Sequence, residues 1–270
     1  MNLAGKVALI TGGASGIGRA TALALAREAV QTVAIVDLRG ADQFAQESNR
    51  ALGRDVMVPF EGDVTDAAFR QRVFADMKAR FDAVNICIPA AGVIRDALAV
   101  KMSSDNGHAN IYPLEDFERV IAINLTAAIY WALEAIASVA EYRRRMGLGK
   151  WQPSEGMQGG IIFIGSISSA GIKGQISYAT TKAGLEGAQA TLAKEAIFYG
   201  VRSAIIHPGF TDTPMVRSLG EDFVRDNILP YTQLRRLIRP DEIADAICFM
   251  LRNSSVSGVL WADAGWHPAP

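Results

Sequence analysis

Residues 11–18, TGGASGIG, connect a short apolar run to a longer segment with helical period. The turn contains Gly12, Gly16 and Gly18, with Ser15 and Ile17 between them. Glycines at a strand-to-helix turn let backbone N–H groups approach a pyrophosphate, which the N-terminus of the helix then favours electrostatically. The turn therefore predicts a dinucleotide-binding site at the carboxyl end of a first strand.

Apolar runs of strand length alternate with helical segments along the rest of the chain, as in a parallel sheet covered by helices. The predicted strands are 7–11, 32–37, 56–61, 83–88, 161–165, 201–206 and 259–262. The predicted helices are 16–29, 42–52, 66–80, 114–145, 178–199 and 241–251. We expect one α/β domain over residues 1–270, with a doubly wound (Rossmann-type), mostly parallel seven-stranded sheet and helices on both faces.

Charge and composition exclude several classes of function. The chain has 27 Lys and Arg against 28 Asp and Glu, a net charge of −1, and half of its residues are hydrophobic. Without a basic excess, binding to nucleic acid or to an anionic membrane is not expected. The first residues do not resemble a signal peptide, and no uninterrupted apolar stretch approaches membrane-spanning length, so we expect a cytoplasmic protein.

The cysteines and histidines do not form a ligand pattern. Cys87 and Cys248 lie in apolar runs, which predicts buried free thiols rather than a disulfide or a zinc site. His108, His207 and His267 are scattered, so no metal site is expected, and His207 is interpreted as a packed side chain.

Two polar stretches, 101–113 and 146–159, are longer than such a fold requires. Ligands bind at the carboxyl ends of the strands in a doubly wound sheet, so the first stretch, which follows a strand, is the candidate for substrate contact. The second precedes a strand and belongs to the opposite edge. Arg143, Arg144 and Arg145 end the helix before it, and we expect a solvated helix end.

Asp37 ends the second predicted strand, where a carboxylate accepts hydrogen bonds from the adenosine ribose hydroxyls and repels a 2′-phosphate. Ser15 offers no compensating cation, although Arg39 lies close enough along the chain to reach a phosphate. The pattern favours NAD over NADP.

Tyr178 and Lys182, in YATTK, lie one helical turn apart on the same face. A free tyrosine has a pKa near 10, so a base at neutral pH needs a shift of about three units. A positive charge about 4 Å away supplies about 4 kcal/mol at an effective dielectric near 20, so we expect Lys182 to lower the pKa of Tyr178. Ser166 follows the fifth strand and would orient a substrate oxygen, with Ser168 and Ser169 as rivals.

These motifs, in this order, resemble the short-chain dehydrogenase/reductase family of single-domain proteins, and the resemblance covers nearly the whole chain. The family resemblance assigns catalytic roles to Ser166, Tyr178, Lys182 and Asn124, the last of them in AINL, where it would help to hold a water relay to Lys182. It also implies that Asp63 and Val64 in EGDVTD flank the adenine, that Pro208 and Gly209 form a turn, and that Thr213 contacts the nicotinamide carboxamide.

One motif departs from the family pattern. Residues 89–92 read PAAG where the family has NNAG, so both asparagine side chains are missing. Gly92 keeps the close approach to the cofactor, whereas the lost polar groups would weaken or reshape that strand end.

The resemblance implies an NAD(H)-dependent oxidoreductase that interconverts a secondary alcohol and a ketone and that forms a homotetramer, or else a dimer. An NADPH-linked reductase of 3-oxoacyl thioesters is the alternative, because GVIRD at 92–96 is similar to the GITRD of such enzymes. Arg235, Arg236 and Arg239 are then candidates for binding an acidic substrate tail. A dinucleotide-sensing protein without catalysis is a third reading, against which the presence of both Tyr178 and Lys182 argues.

Overall fold

A parallel sheet of seven strands forms the centre of the protein, which the computed structural model describes over residues 1–103 and 107–266. The strands are β1 (Val7–Thr11), β2 (Thr32–Asp37), β3 (Met57–Glu61), β4 (Ile86–Pro89), β5 (Val100–Met102), β6 (Ala109–Ile111), β7 (Gly159–Ile164), β8 (Val201–Pro208) and β9 (Gly258–Ala262). The seven run in the order β3-β2-β1-β4-β7-β8-β9, while β5 and β6 pair only with each other. The order reverses next to β1, which opens a crevice at the carboxyl ends of β1 and β4. The predicted fold class is confirmed.

Helices cover both faces of the sheet. They are α1 (Gly16–Arg27), α2 (Ala41–Leu52), α3 (Ala67–Phe81), α4 (Leu114–Ile121), α5 (Ala128–Arg145), α6 (Ile176–Glu195), α7 (Pro214–Arg217), α8 (Glu221–Asn227) and α9 (Pro240–Arg252). Short 3-10 turns occupy Pro153–Glu155, Ile167–Ala170, Ala196–Tyr199 and Leu229–Tyr231.

Successive residues of β1 enter different cores, because side chains alternate along a strand. Ala8 and Ile10 pack in the core that contains α1, α2 and α9, whereas Val7 and Leu9 pack in the core that contains α3, α5 and α6. Trp131 fills the second core. Its ring lies 5.7 Å from the ring of Phe74 on α3, centroid to centroid, so it packs against another helix.

The long helix expected over 114–145 is not regular. A π-helical turn, Ala122–Ala127, separates α4 from α5. By length and composition alone, the combined run Leu114–Arg145 could cross a membrane. Core helices of globular proteins have the same length and composition, and 44% of the most apolar 18-residue segment of this run is buried. The helix expected over 178–199 begins at Ile176 and changes to a 3-10 turn at Ala196.

The first long stretch, 101–113, forms a β-hairpin rather than the expected loop, although residues 104–106 lie outside the described part. Val100 pairs with Ile111, and Met102 with Ala109. The base of the hairpin is fixed to the start of α6, because the hydroxyl of Tyr112 lies 2.9 Å from Ser177 Oγ.

The second long stretch is held by Arg143, whose side chain is only 1% exposed. Its guanidinium donates to Glu155 Oε2 at 2.6 Å and to the carbonyl oxygen of Gly149 at 2.8 Å. The expectation of a solvated helix end is therefore wrong for Arg143, because a buried guanidinium with a carboxylate and a carbonyl as partners closes the stretch against α5.

Cys87 and Cys248 are buried free thiols, as predicted. His207 is fully buried and stacks on Trp261 with ring centroids 4.3 Å apart, as expected for a packed histidine. His267 lies outside the described residues.

Candidate active site

The glycine turn between β1 and α1 is shaped by contacts between backbone segments. A Cβ atom on Gly18 would lie 2.2 Å from the carbonyl oxygen of Gly12, and one on Gly12 would lie 2.8 Å from Ala91 Cα. Gly12 also has a φ of 64°, a backbone conformation that residues with a Cβ atom rarely adopt. The turn therefore requires glycine at both positions, and the first residues of α1 line the crevice.

A main cavity of about 430 Å³ extends along the crevice from this turn to Tyr178. It brings together most of the residues predicted to bind a dinucleotide, namely Gly12, Ser15, Gly16, Ile17, Gly18, Asp37, Asp63, Val64, Gly92, Tyr178, Lys182 and Thr213. Pro208 and Gly209 line a cavity that adjoins it, and Asn124 lines neither.

Asp37 is fixed at the end of β2 by the glycine turn. Its Oδ2 accepts a hydrogen bond of 3.0 Å from Ala14 N, and Oδ1 accepts one from Leu38 N. Beyond it lies a side cavity of about 310 Å³ bordered by Arg19 and Arg39. The sequence indicated Arg39, but Arg19 was missed, because only the first turn of α1 brings it beside Asp37.

Asp63 and Val64 are held by neighbouring groups. Asp63 Oδ1 accepts from both the backbone N–H and the hydroxyl of Thr65, and these hydrogen bonds lower the pKa of the Asp63 carboxyl. The carbonyl oxygen of Val64 accepts from the indole Nε1 of Trp131 at 2.9 Å. A core tryptophan thus fixes the backbone at this end of the main cavity.

The PAAG segment keeps its place through groups outside the motif. Thr11 Oγ1 accepts a hydrogen bond of 3.2 Å from Ala91 N. From the π-helical turn, Asn124 Oδ1 accepts from Val93 N at 2.9 Å, and its Nδ2 donates to Val93 O at 2.8 Å. The strand end is therefore held from both sides without the two missing asparagines, and both polar ends of the Asn124 side chain are used in holding it.

Thr213 covers the glycine turn from the opposite side. Its Oγ1 accepts from Val216 N at 3.4 Å and caps α7. A Cβ on Gly16 would lie 3.1 Å from Thr213 Cγ2, so the two segments are in near contact. The short helix α7 begins from this cap and α8 follows at Glu221; the sequence predicted neither.

Ser166, Tyr178 and Lys182 meet where β7 ends and α6 begins. The side chain of Ser166 acts on the phenol of Tyr178 and favours its ionised form. Ser166 Oγ also accepts from Ser168 N at 3.0 Å, and its backbone is tied to the ring of His207. Lys182 Nζ donates to the carbonyl oxygen of Ile164 at 2.7 Å and lies 5.3 Å from the centre of the Tyr178 ring. Of the three candidate serines, Ser166 is the partner of the tyrosine.

The expected lowering of the Tyr178 pKa is wrong for the protein alone. Burial raises the pKa of the phenol to about 12, against the hydrogen bond from Ser166 that lowers it, and the charge of Asp96 raises it further. Burial likewise lowers the pKa of Lys182 to about 8. Desolvation, which the spacing along a helix does not reveal, is the largest cause of both shifts.

A second, adjoining cavity of about 120 Å³ lies on the other side of Tyr178. Tyr178, Ile17 and Thr213 line both cavities, and Ser166 lines only this one. Its walls are mainly apolar, and include Ile94, Ile167, Phe210, Met215, Val216 and Leu219, with Asp96 and Gln175 as polar members. A tyrosine with a serine partner thus stands between a long groove and a smaller apolar chamber.

A glycine turn at the switch point of a parallel sheet, with an ionisable side chain at the far end of the same groove, is the arrangement of a dinucleotide-dependent oxidoreductase. Comparison with known proteins agrees with this class. Residues 6–223 match the family described as short chain dehydrogenase. The chain belongs to this short-chain dehydrogenase family, whose members bind nicotinamide dinucleotides.

Several enzymes of the family are similar to the chain over most of their length. The 3-oxoacyl-[acyl-carrier-protein] reductase of Escherichia coli is 31% identical over 251 residues, covering 93% of this chain and 91% of the relative. The reductase of the same name from Thermotoga maritima is 31% identical over 270 residues, covering 98% and 99%. The (3R)-3-hydroxyacyl-CoA dehydrogenase of Mus musculus is 32% identical over 266 residues, covering 94% and 92%.

Proposed function

We propose that the protein is an NAD(H)-dependent oxidoreductase that interconverts a secondary alcohol and a ketone. The observation that carries this proposal is the position of Tyr178, which lines both the main cavity and the adjoining one, and Ser166 is a lining residue of the adjoining cavity. A substrate oxygen that enters the adjoining cavity meets both hydroxyls.

The residues of the main cavity fit a dinucleotide. The glycine turn has no room for a Cβ at Gly12 or Gly18, and Asp37 offers carboxylate oxygens at the end of β2. When bound, the nicotinamide ring accepts or supplies the hydride. The residues proposed to hold the cofactor are Gly12, Ser15, Gly16, Ile17, Gly18, Asp37, Asp63, Val64, Gly92, Tyr178, Lys182, Pro208, Gly209 and Thr213.

In the proposed mechanism Ser166 donates a hydrogen bond that orients the substrate oxygen, and Tyr178 exchanges a proton with that oxygen. A Tyr178 pKa of about 12 keeps the phenol protonated at neutral pH, which suits proton donation to a ketone. Oxidation of an alcohol needs the phenolate, and the ammonium of Lys182 favours that form. Asn124 is a positioning residue, because it holds Val93 beside Gly92.

The proposal is tested by measuring reduction of NAD⁺ and NADP⁺ with a broad panel of secondary alcohols. Replacing Tyr178 by Phe should lower kcat by a factor of about a thousand, within the range that general acid–base groups contribute, while NADH binding is retained. Tyr231→Phe, at an exposed tyrosine, is the matched control. An unimpaired Tyr178→Phe enzyme would refute the assigned role, and NADH binding without oxidation of any alcohol would favour the dinucleotide-sensing alternative.

An NADPH-linked 3-oxoacyl-thioester reductase is the second candidate. Arg19 and Arg39 border the side cavity beside Asp37, where they would attract a 2′-phosphate, and two of the relatives are named as 3-oxoacyl reductases. Against an acidic substrate tail, Arg236 and Arg239 already form ion pairs with Glu242 at 2.7 and 3.6 Å. A kcat/KM that is higher with NADPH and an acetoacetyl thioester than with NADH and a simple ketone would favour this candidate.

We propose a homotetramer, or else a dimer, acting in the cytoplasm on a small-molecule substrate without nucleic acid or membrane as partner. Supporting the oligomer, α5 leaves Tyr130 and Leu133 exposed, and α6 leaves Ile176 exposed. Light scattering on the purified protein tests the oligomeric state, and a monomer would contradict it.

A further inference from the structure

We infer that His207 is a positioning residue of the reaction: its buried ring holds the backbone of Ser166 and so sets where the Ser166 hydroxyl meets the substrate oxygen. The inference rests on the proposed function and adds a residue to the same site. His207 lines neither the main cavity nor the adjoining one, so it acts on the substrate only through Ser166.

The ring of His207 is held in one orientation. It is fully buried at the end of β8 and stacks on the ring of Trp261 in β9, with the two ring planes 19° apart. Its Nδ1 atom lies 3.0 Å from the backbone nitrogen of Ser166 and 2.9 Å from the carbonyl oxygen of the same residue. Its Nε2 atom lies 3.5 Å from Glu186 Oε1 on α6. Both ring nitrogens thus have polar neighbours, and a rotated ring would lose them.

Pro208 explains why a side chain, and not the sheet, holds Ser166. The pairing of β8 with β7 ends at Ile206, whereas β8 continues beside β9 as far as Pro208. Proline has no N–H, so β8 cannot donate the next hydrogen bond of the ladder to β7. The imidazole of His207 instead provides an acceptor for the N–H of Ser166, just beyond the end of β7.

Gly165 leaves the space that the ring needs. A Cβ atom at residue 165 would lie 2.5 Å from His207 Nδ1, so the ring occupies the place that a side chain would take there. On its other side Ser166 is held separately, because its Oγ accepts from Ser168 N at 3.0 Å. A hydroxyl that accepts in this way keeps its proton for a hydrogen bond to the substrate. The backbone contact with His207 therefore determines where that donor stands.

The test is a double-mutant cycle with Ser166→Ala. His207→Phe keeps a ring that can stack but removes the acceptor of the Ser166 N–H. We expect kcat/KM to fall by about tenfold or more, because a misplacement of about 1 Å costs up to about a hundredfold. In the Ser166→Ala background the same change should cost less than about twofold, because the orienting hydroxyl is already absent. The affinity for NADH should stay the same.

His207→Asn is the second variant and keeps the inference testable if His207→Phe fails to fold. Its amide retains an acceptor close to the main chain, so its loss of kcat/KM should be smaller, and this loss should also disappear in the Ser166→Ala background. Ile206→Val is the control for a general loss of packing, because Ile206 packs in the core with α1, α2 and α9. It should leave kcat/KM within about twofold of the wild type.

An unimpaired His207→Phe enzyme, or a loss that is equal in both backgrounds, would overturn the inference, since effects of independent residues add. Absence of turnover in the wild type would instead contradict the proposed function. In that case hydrogen exchange of the Ser166 amide decides whether the ring holds this backbone. Protection that is lost in His207→Phe supports the contact, and protection that is unchanged overturns it.

Discussion

The two sides of the cavity system are built in different ways. The side facing α1 is formed by backbone against backbone, with a space at Gly18 that does not admit a single Cβ atom. The side facing the hairpin is formed by side-chain contacts between distant segments, Asp96 with Gln175 and Tyr112 with Ser177. The first side is specified by the backbone and has little freedom to vary. The second can change with a few side chains, so chemical selectivity should reside there.

The largest effect should come from filling the backbone contact. A Cβ at residue 18 would lie 2.2 Å from the Gly12 carbonyl oxygen, so Gly18→Ala must displace the turn. We expect NADH affinity to fall by about a hundredfold, as measured by fluorescence titration. Gly149→Ala is the control, because nothing lies within 4 Å of the added atom. Equal NADH affinities for Gly18→Ala and Gly149→Ala would show that NADH binding does not depend on the exact backbone geometry of the turn.

A smaller effect is expected from Asp37, whose carboxylate the turn holds through Ala14 N. In Asp37→Ser the like-charge repulsion of a 2′-phosphate is lost, and Arg19 and Arg39 remain. The ratio of kcat/KM for NAD⁺ to that for NADP⁺ should fall by about tenfold or more. Glu47→Gln, which removes a more distant carboxylate of the side cavity, should change the ratio little. If the wild type preferred NADP⁺, Asp37 could not be the residue that excludes the 2′-phosphate.

The same difference between the two sides determines what the sequence alone predicts. The glycine turn, Asp37 and the pair Tyr178 and Lys182 are predictable, because each depends on a fixed spacing along one strand, turn or helix. The pairing of Asp96 with Gln175 depends on how the hairpin base docks on α6, which no local pattern encodes.

Burial explains two of the expectations that were wrong. The basic run at the end of α5 looked solvated, yet the following stretch folds back and encloses the guanidinium of Arg143. The phenol of Tyr178 was expected to be acidified by its neighbour, yet the surrounding protein raises its pKa to about 12. In both cases the tertiary fold, and not the local sequence, determines the exposure of the Arg143 side chain and the pKa of Tyr178.

Lys182 gives a pH test of how deeply the site is enclosed. The folded-state pKa of about 8 lies below the ordinary value of 10.5, so within this window the unfolded chain carries a proton that the folded protein has released. Lys182 should therefore add to the free energy of unfolding as the pH rises from about 8 towards 10, whereas the buried thiols of Cys87 and Cys248, whose pKa burial raises, subtract from it. In urea titrations, the free energy of unfolding of the wild type minus that of Lys182→Met should rise with pH across this window. Parallel pH profiles would mean that the ammonium is well solvated.

The smallest effect is expected at the hairpin. Tyr112→Phe removes the hydroxyl that joins the hairpin base to Ser177 and costs about 1 kcal/mol of stability. Because the start of α6 also carries Tyr178, kcat/KM should fall by a factor of about three in the same variant. Tyr231→Phe, at an exposed tyrosine, is the control for both measurements. A loss of activity as large as that expected for Tyr178→Phe would instead place Tyr112 in the chemistry.

The π-helical turn at Ala122–Ala127 has a consequence for how the site tolerates deletions. A turn of this kind holds one residue more than an α-helical turn, and each residue of an α-helix corresponds to a rotation of about 100°. Deleting one residue of this π-helical turn, at a position after Asn124, would make the helix regular. The side chain of Asn124 and the face of α5 that carries Trp131 would then differ in direction by about 100° from their present arrangement. Either Asn124 would lose its hydrogen bonds to Val93, or Trp131 would lose its contact with Phe74. The irregular turn thus lets one helical run, Leu114–Arg145, hold Val93 beside the main cavity through Asn124 and pack against Phe74 through Trp131.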